Sequence, residues 1–432
     1  MQSQGPPLLA LRAAIYTTCM KHIIIIGSGV IGCTCAYYLM KAGCKVTLID
    51  QGAFAAGASH GNCGFVSPSH VLPLAGPGVL GNTMKAMLSP DSPFSVRPGM
   101  NMALWGWLLQ FAKRCNAKHM MKSAPAINAL LQTSRKLYDE LFAGEGFQVD
   151  WQTKGIFFVF QTKEGHEHHA HTNDMLSSQF NMGAERYDGD DVLKLEPALK
   201  SGLAGGWHYR SDAHLRPDQL MANWKRWLTE HGATIKENCK VNGFISEGNL
   251  LKGVKTAEGD VEGTHVIVAT GAWTPMLNEQ LKCKVPIQPG KGYSLTMTRP
   301  TPCPAMPLIF EEHRVAVTPF SDGFRLGSIM EFAGYDATMN PRRVELLRSG
   351  ASHYLTSPCG ETVLEQWWGW RPMTYDSVPI IGPVPAFSNA YLATGHSMLG
   401  LTLATGTGKL VSEMILGEKP HVDAGPYSIS RF

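Results

Sequence analysis

The sequence predicts an α/β (α+β) fold. One parallel-sheet domain is assembled from separated segments and interleaved with a second, strand-rich domain. Three observations carry this reading. A glycine-patterned strand, turn, helix and strand open at His22. A second apolar strand near 266 runs into a Gly-Ala turn. A third strand near 390 runs into a glycine-rich segment ahead of a helix.

The first unit, HIIIIGSGVIGCTCAYYLMKAGCKVTLID, spans residues 22–50. His22 to Ile26 is a short β-branched run, as expected of a parallel strand buried on both faces. Gly27, Gly29 and Gly32 follow the G-x-G-x-x-G pattern, with Ser28, Val30 and Ile31 between and beside them. Gly27 permits a tight turn, Gly29 admits a pyrophosphate, and Gly32 lets the helix pack closely on the strand. A helix N-terminus directed at the phosphates completes the cradle. The helix is expected to run to about Ala42, with Gly43 as its cap. Asp50 ends the second strand, where an acid binds a ribose hydroxyl, and Gln51 follows it.

The next stretch, AAGASHGNCGFVSPSHVLPLAGPG, reads as a loop. Ser59, Asn62 and Gly64 are expected to hydrogen-bond a cofactor. His60 offers a position for a covalent link to one, and a loop histidine facing solvent or phosphate is the simpler reading. Residues 100–145 read as helical, with Trp105, Trp107, Leu108 and Phe111 on an apolar face. Met100 to Ala112 could lie on a bilayer surface, or serve as a core or interdomain helix. GIFFVF at 155–160 reads as a strand. His166, His168, His169 and His171 follow on helical spacing; a solvated helix face suits them better than a metal site, and no metal is expected.

A helix is expected at 218–232, ending in glycine. Val266 to Ala269 form a strand that leads into Thr270, Gly271 and Ala272, a second cofactor contact, with Val241 ahead of it. KGYSLTMT, RVAVTPF and FRLGSI read as strands of the second domain. WWGWRPMTYDSVPIIG, residues 367–382, reads as a buried tryptophan-rich turn carrying Arg371. After the strand AYLATG, Gly395, Leu399, Gly400 and Thr402 form the third cofactor contact.

A chain of 432 residues can bury a large core and form two domains. A net charge of +3 without long basic runs gives no sign of a nucleic-acid partner. The ten cysteines are scattered and lack C-x-x-C spacing, so they read as reduced thiols in a cytoplasmic protein. Residues 1–19 have no charged start or cleavage site and read as an N-terminal appendage.

GSGVIG with Asp50, GASHGNCGFVSP, VLPLAGPG, PGKGYSLT, GWRPMT and TGHSMLGLTLATG occur in this order. With them the chain resembles the D-amino acid oxidase superfamily of FAD enzymes, most of all the small-subunit type of bacterial D-amino acid dehydrogenase. The resemblance covers everything from Met20 onward. It implies a GR2-type FAD-binding Rossmann domain at 20–99, 196–284 and 361–432. It implies a mixed-sheet substrate domain at 100–195 and 285–360.

The resemblance also implies that Arg371, the arginine of the G-x-R-P motif, pairs with a substrate carboxylate. A planar guanidinium suits that task; the other reading ties Arg371 to Asp376. The related oxidases carry a tyrosine in the strand matching VAVTPF, where Ala316 stands here. Tyr293 is the candidate for a second carboxylate ligand, or else a core tyrosine. His396 could tune the flavin or touch substrate, or be structural. Gly369 stands where sarcosine oxidases attach flavin to a cysteine, so the FAD is expected to be noncovalent.

The reaction so implied is oxidation of a D-amino acid, or of a cyclic imino acid such as D-proline or hydroxy-D-proline. The alternatives are a glycine- or sarcosine-type amine oxidase and a flavoprotein subunit of a larger dehydrogenase. A tRNA-modifying oxidase domain is more remote. A quinone or another acceptor is expected to take the electrons, with peripheral contact on the inner face of the cell membrane as an option.

Overall fold

Two large sheets organise the computed structural model, which describes residues 21–79, 81, 92, 94–97 and 102–432. The expected appendage at 1–19 lies outside the described residues. So do Met100 and Asn101 of the apolar segment.

The first sheet has six strands, in the order Ile380–Pro383, Ala390–Thr394, His265–Val268, His22–Ile26, Lys45–Ile49, Thr234–Lys236. Five are parallel, and Ile380–Pro383 runs antiparallel at the edge. Ile23, Ile24 and Ile25 are wholly buried, as a central strand covered on both faces requires. The three glycine-turn segments expected to build one domain meet in this sheet.

Helix Val30–Lys41 crosses helix Gly400–Leu416 closely because small residues line the crossing. A Cβ at Gly408 would lie 2.5 Å from the Thr34 backbone. Thr34 Oγ1 donates to Ala404 O at 2.9 Å.

The second sheet has nine strands. Eight run in the order Val363–Thr374, Ile287–Met297, Phe324–Phe332, Val315–Pro319, Leu308–Phe310, Ile156–Phe160, Gly205–Tyr209, Glu185–Asp188, and Phe94–Val96 pairs with the end of Phe324–Phe332. It is mixed, since Leu308–Phe310 runs parallel to Ile156–Phe160 and antiparallel to Val315–Pro319. A cluster including Tyr293, Leu295, Phe310, Val315 and Leu326 forms the core on one of its faces. The other face looks onto the main cavity.

Several expectations need correction. The tryptophan-rich segment is not a turn but the edge strand Val363–Thr374. Its alternation sends Trp367, Gly369 and Arg371 to one face and Trp368 and Trp370 to the other, and Pro372 is tolerated because the strand is an edge. Strands Phe94–Val96, Gly205–Tyr209 and Val363–Thr374, assigned by sequence to the nucleotide part, belong to the large sheet. Helix Ala117–Gly144, assigned to the substrate part, packs on Gly400–Leu416, with Tyr138 Oη donating to Leu401 O at 2.7 Å.

The helical stretch after 100 is broken at Asn116, whose side chain caps the second helix. On the first helix Trp107 and Phe111 are buried and Trp105 is 45% exposed, so the expected apolar face divides. His166 and His169 are buried and His168 and His171 exposed, so the histidine segment is only half solvated. Among the described residues no cluster could hold a metal ion.

Candidate functional site

A single cavity of about 1090 Å³ runs from the six-stranded sheet to the nine-stranded one. Its first end is built by backbone. Gly27 has φ +106, and a Cβ there would lie 2.5 Å from Ala269 O. A Cβ at Gly32 would lie 1.9 Å from Gly27 O, so only glycine lets the helix approach this closely. At Gly29, by contrast, the space ahead holds only Ser59 Oγ at 3.4 Å. Gly29 caps the helix without a side chain, and Ser59 Oγ accepts the Val30 N–H at 3.0 Å. This is a helix N-terminus opening on empty space with a hydroxyl at hand, which fits a pyrophosphate.

Asp50 stands across the cradle. Its carboxylate accepts from Ser28 N and Ser28 Oγ, both at 2.8 Å, and from Gly52 N at 3.0 Å. Those bonds fix its direction at the cavity wall, where ribose hydroxyls would donate to its remaining lone pairs.

The walls continue through Gln51, Val241, Thr270, Gly271 and Ala272 to Leu399, Gly400 and Thr402. The N-terminus of Gly400–Leu416 opens here as well, placing a second set of free N–H groups at the cavity. Ser28, Gly32, Gly64 and Gly395 do not line the cavity. Ser28 holds Asp50, and Gly64 and Gly395 supply turns at φ +82 and +72.

The second end is built by side chains on the large sheet. Arg371 rises from the edge strand and lies over Gly292, where a Cβ would be 2.0 Å from its Nη1. Nη1 donates to Ile329 O at 2.8 Å and Nη2 to Ser328 O at 3.2 Å. Ser328 and Ile329 have φ of +118 and +56, strained values that turn two successive carbonyls toward one guanidinium. Two of the five N–H groups are thereby used.

Among the described residues no carboxylate pairs with Arg371. Asp376 pairs instead with Arg431 at 2.8 Å, which removes the reading in which Arg371 ties down the turn. Burial lowers the pKa of Arg371 from its ordinary value.

The loop after Asp50 is pinned across the same face. Arg325, 1% exposed, donates to Asn62 O at 2.7 Å, His60 O at 3.3 Å and Thr296 Oγ1 at 2.8 Å. Glu365 accepts from Arg325 and meets His60 Nε2 at 2.7 Å. His60 therefore turns toward Glu365, not into the cavity. Asn62 and Cys63 do line the cavity, with Cys63 Sγ against Gly327. Gly61 lies on the Trp367 ring.

Tyr293 reaches the cavity edge, but it is 1% exposed and its hydroxyl donates to Glu331 at 2.6 Å. His396 lines the cavity with its Nε2 2.9 Å from Thr407 Oγ1, and burial pushes its pKa down to about 3, so the ring is neutral.

Cys63, His70, Glu311, Trp367 and Met398 line the cavity without having been singled out by sequence. His70 follows the S-P-S turn and packs on Phe158, with ring centroids 5.7 Å apart. Behind it Asp212, wholly buried, accepts from Ser69 N at 3.0 Å and Ser69 Oγ at 2.6 Å. Cys63 and His70 reach the site because the loop lies across the sheet, a long-range contact that their local sequence does not announce. Among the described residues no helix is long and apolar enough to cross a membrane.

Known proteins agree with this geometry. Residues 22–414 match the family model described as DAO, FAD dependent oxidoreductase. A D-amino acid dehydrogenase of Granulibacter bethesdensis is 31% identical over 95% of this chain and 99% of its own length. One of Xanthobacter autotrophicus is 32% identical with the same coverage of both chains. The fold is similar to the glycine oxidase of Geobacillus kaustophilus, with a TM-score of 0.77 at 20% identity over 96% of this chain and 100% of that one. It is also similar to that of Bacillus cereus, with a TM-score of 0.73 at 21% identity over 93% and 96%. The cradle, the cavity and these likenesses converge: the chain belongs to the DAO family of FAD-dependent oxidoreductases.

Proposed function

We propose that the protein dehydrogenates D-amino acids at Cα, with a cyclic imino acid such as D-proline or hydroxy-D-proline as a further substrate. The observation that carries this reading is Arg371, a guanidinium without a carboxylate partner among the described residues, held by two carbonyls at the cavity wall. Its free N–H groups suit a substrate carboxylate gripped in one plane. FAD bound noncovalently in the cradle would accept a hydride from the substrate Cα.

The chain's own residues bind and orient. Gly27, Gly29, Val30, Ser59 and Asp50 would hold the dinucleotide, and the N-terminus of Gly400–Leu416 favours negative charge beside it. Neutral His396 adds a hydrogen-bonding group without adding charge. Arg371 fixes one end of the substrate, so that its Cα is presented in a constant direction. The substrate amine must shed its ammonium proton before its lone pair can assist. Ala316, where the related oxidases carry a tyrosine, leaves room beside Arg371 and favours amino acids with side chains over glycine or sarcosine.

We further propose a quinone or another acceptor in preference to oxygen, in a cytoplasmic protein. Met102 and Leu109, 81% and 57% exposed, would supply peripheral membrane contact.

A panel of D- and L-amino acids tests the reading by bleaching of flavin absorbance without oxygen. D-amino acids should bleach the flavin and their L-enantiomers should not. Bleaching by glycine or sarcosine alone would transfer the assignment to the amine oxidases. Peroxide formed at the rate of substrate loss would overturn the proposed acceptor.

A further inference from the structure

The cavity does not stop at Arg371. It continues along the large sheet into a lobe lined by Ile309, Ala316, Glu311, Arg314 and His70. Strand register sets the lobe's position. Ser328, whose carbonyl holds Arg371, pairs with Val315, and Val315 pairs with Phe310, one residue before Glu311. The guanidinium and the Glu311 turn thus lie at the same level of the sheet, two strands apart. That separation is roughly 10 Å at the usual strand spacing of about 4.8 Å.

The cavity-facing row between them is short and apolar. Ile309 and Ala316 are cross-strand partners there, and the next partner, Gly327, is buried beneath Cys63 Sγ. Ile309 and Ala316 are only half-buried although they lie inside the sheet. Their free surface faces the lobe.

The far end of the lobe is acidic. Of its two carboxylates, Glu312 is fully engaged, accepting from Gln161 N, Thr162 N, Thr162 Oγ1 and Tyr354 Oη. Glu311 is not. It pairs with Arg314 at 3.4 Å, and the arginine and glutamate side chains are 60% and 34% exposed. Such an exposed pair is worth little, so another cation can compete for the carboxylate.

Resting on the reading of Arg371 as the carboxylate anchor, we propose that this lobe is the substrate's side-chain subsite. It selects D-amino acids with a long methylene stem ending in a cation, such as D-lysine and D-arginine. Ile309 and Ala316 cover the stem, and Glu311 receives the distal ammonium or guanidinium. An extended lysine places its terminal nitrogen roughly 7.5 Å from its carboxyl carbon, given C–C bonds of about 1.5 Å. A hydrogen bond of about 2.9 Å at each end brings the reach to roughly 13 Å, so the stem spans the separation without being fully extended.

The experiment compares kcat/KM for D-lysine, D-norleucine and D-alanine in the holoenzyme, its E311Q variant and its A316Y variant. D-lysine should exceed D-norleucine by about tenfold or more, and E311Q should bring that ratio close to one. A316Y should lower both long substrates relative to D-alanine. A ratio near one in the parent, or one that survives E311Q, overturns the subsite. Turnover of D-alanine without any preference for D-lysine defeats this inference alone. No turnover of any D-amino acid defeats the proposed function as well.

Binding supplies a readout independent of turnover and of variant folding. In calorimetry on the parent protein, 6-aminohexanoate should bind about tenfold more tightly than hexanoate. Equal affinities would overturn the subsite.

Discussion

The two ends of the cavity are made in different ways. The nucleotide end is made by backbone within one short stretch, where Gly27, Gly29 and Gly32 shape a turn and a helix start. The substrate end is made by side chains from distant strands. Arg371 rests on Gly292 and is held by carbonyls 42 and 43 residues away in sequence. The first end tolerates no added atom at Gly27 or Gly32. The second depends on strand register and on the strained backbone at Ser328 and Ile329.

The largest expected effect separates two glycines of the cradle. Gly32→Val forces atoms into Gly27 O and should prevent a stable fold, since overpacking of this severity exceeds the usual cost of about 1–3 kcal/mol. Gly29→Val adds atoms to open space. It should leave the melting temperature of the FAD-free protein within a few degrees of the parent's, while FAD affinity falls about a hundredfold, roughly 2.7 kcal/mol. Thermal unfolding with FAD titration checks both. A fully loaded Gly29→Val protein would remove the cradle from this helix.

This contrast also shows what could be read in advance. The cradle was legible because its glycines, its acid and its strand lie within 29 residues of one another and obey a local geometric rule. Arg371 was legible only through its motif, and its setting was misread as a turn. The alternation that makes it a strand is masked by four successive residues, Trp367 to Trp370, that are apolar or glycine. The sequence leaves Tyr293 open between a carboxylate ligand and a core tyrosine, because Glu331, which engages its hydroxyl, arrives from the neighbouring strand. Arg325, Cys63 and Glu311 have no sequence signature, since their importance comes from the loop lying across the sheet.

A smaller effect is expected at the substrate end. Gly292→Ala places a Cβ against Nη1 of Arg371 and should displace the guanidinium from its carbonyls. Activity on D-amino acids should fall about tenfold, equivalent to roughly 1.4 kcal/mol, with FAD content retained. Steady-state kinetics beside flavin absorbance tests this. Loss of FAD in step with activity would show that the two ends are not separable.

The smallest effect concerns pH. Burial raises the Asp212 carboxyl to about 7, above its unfolded value of about 3.9. The folded state then binds more protons than the unfolded one between those values. Its contribution to stability is present below about pH 4 and is lost as pH rises toward 7. Asp212→Asn should flatten the decline in melting temperature across that window. A slope unchanged by the substitution would place the titrating group elsewhere.

The most direct test is Arg371→Ala. Losing a charged hydrogen-bond partner costs about 1.5–3 kcal/mol, so kcat/KM for D-amino acids should fall at least about tenfold. FAD content should stay near that of the parent, and amines lacking a carboxylate should lose little. An Arg371→Ala enzyme that oxidises D-amino acids as well as the parent does would mean that the carboxylate is anchored elsewhere.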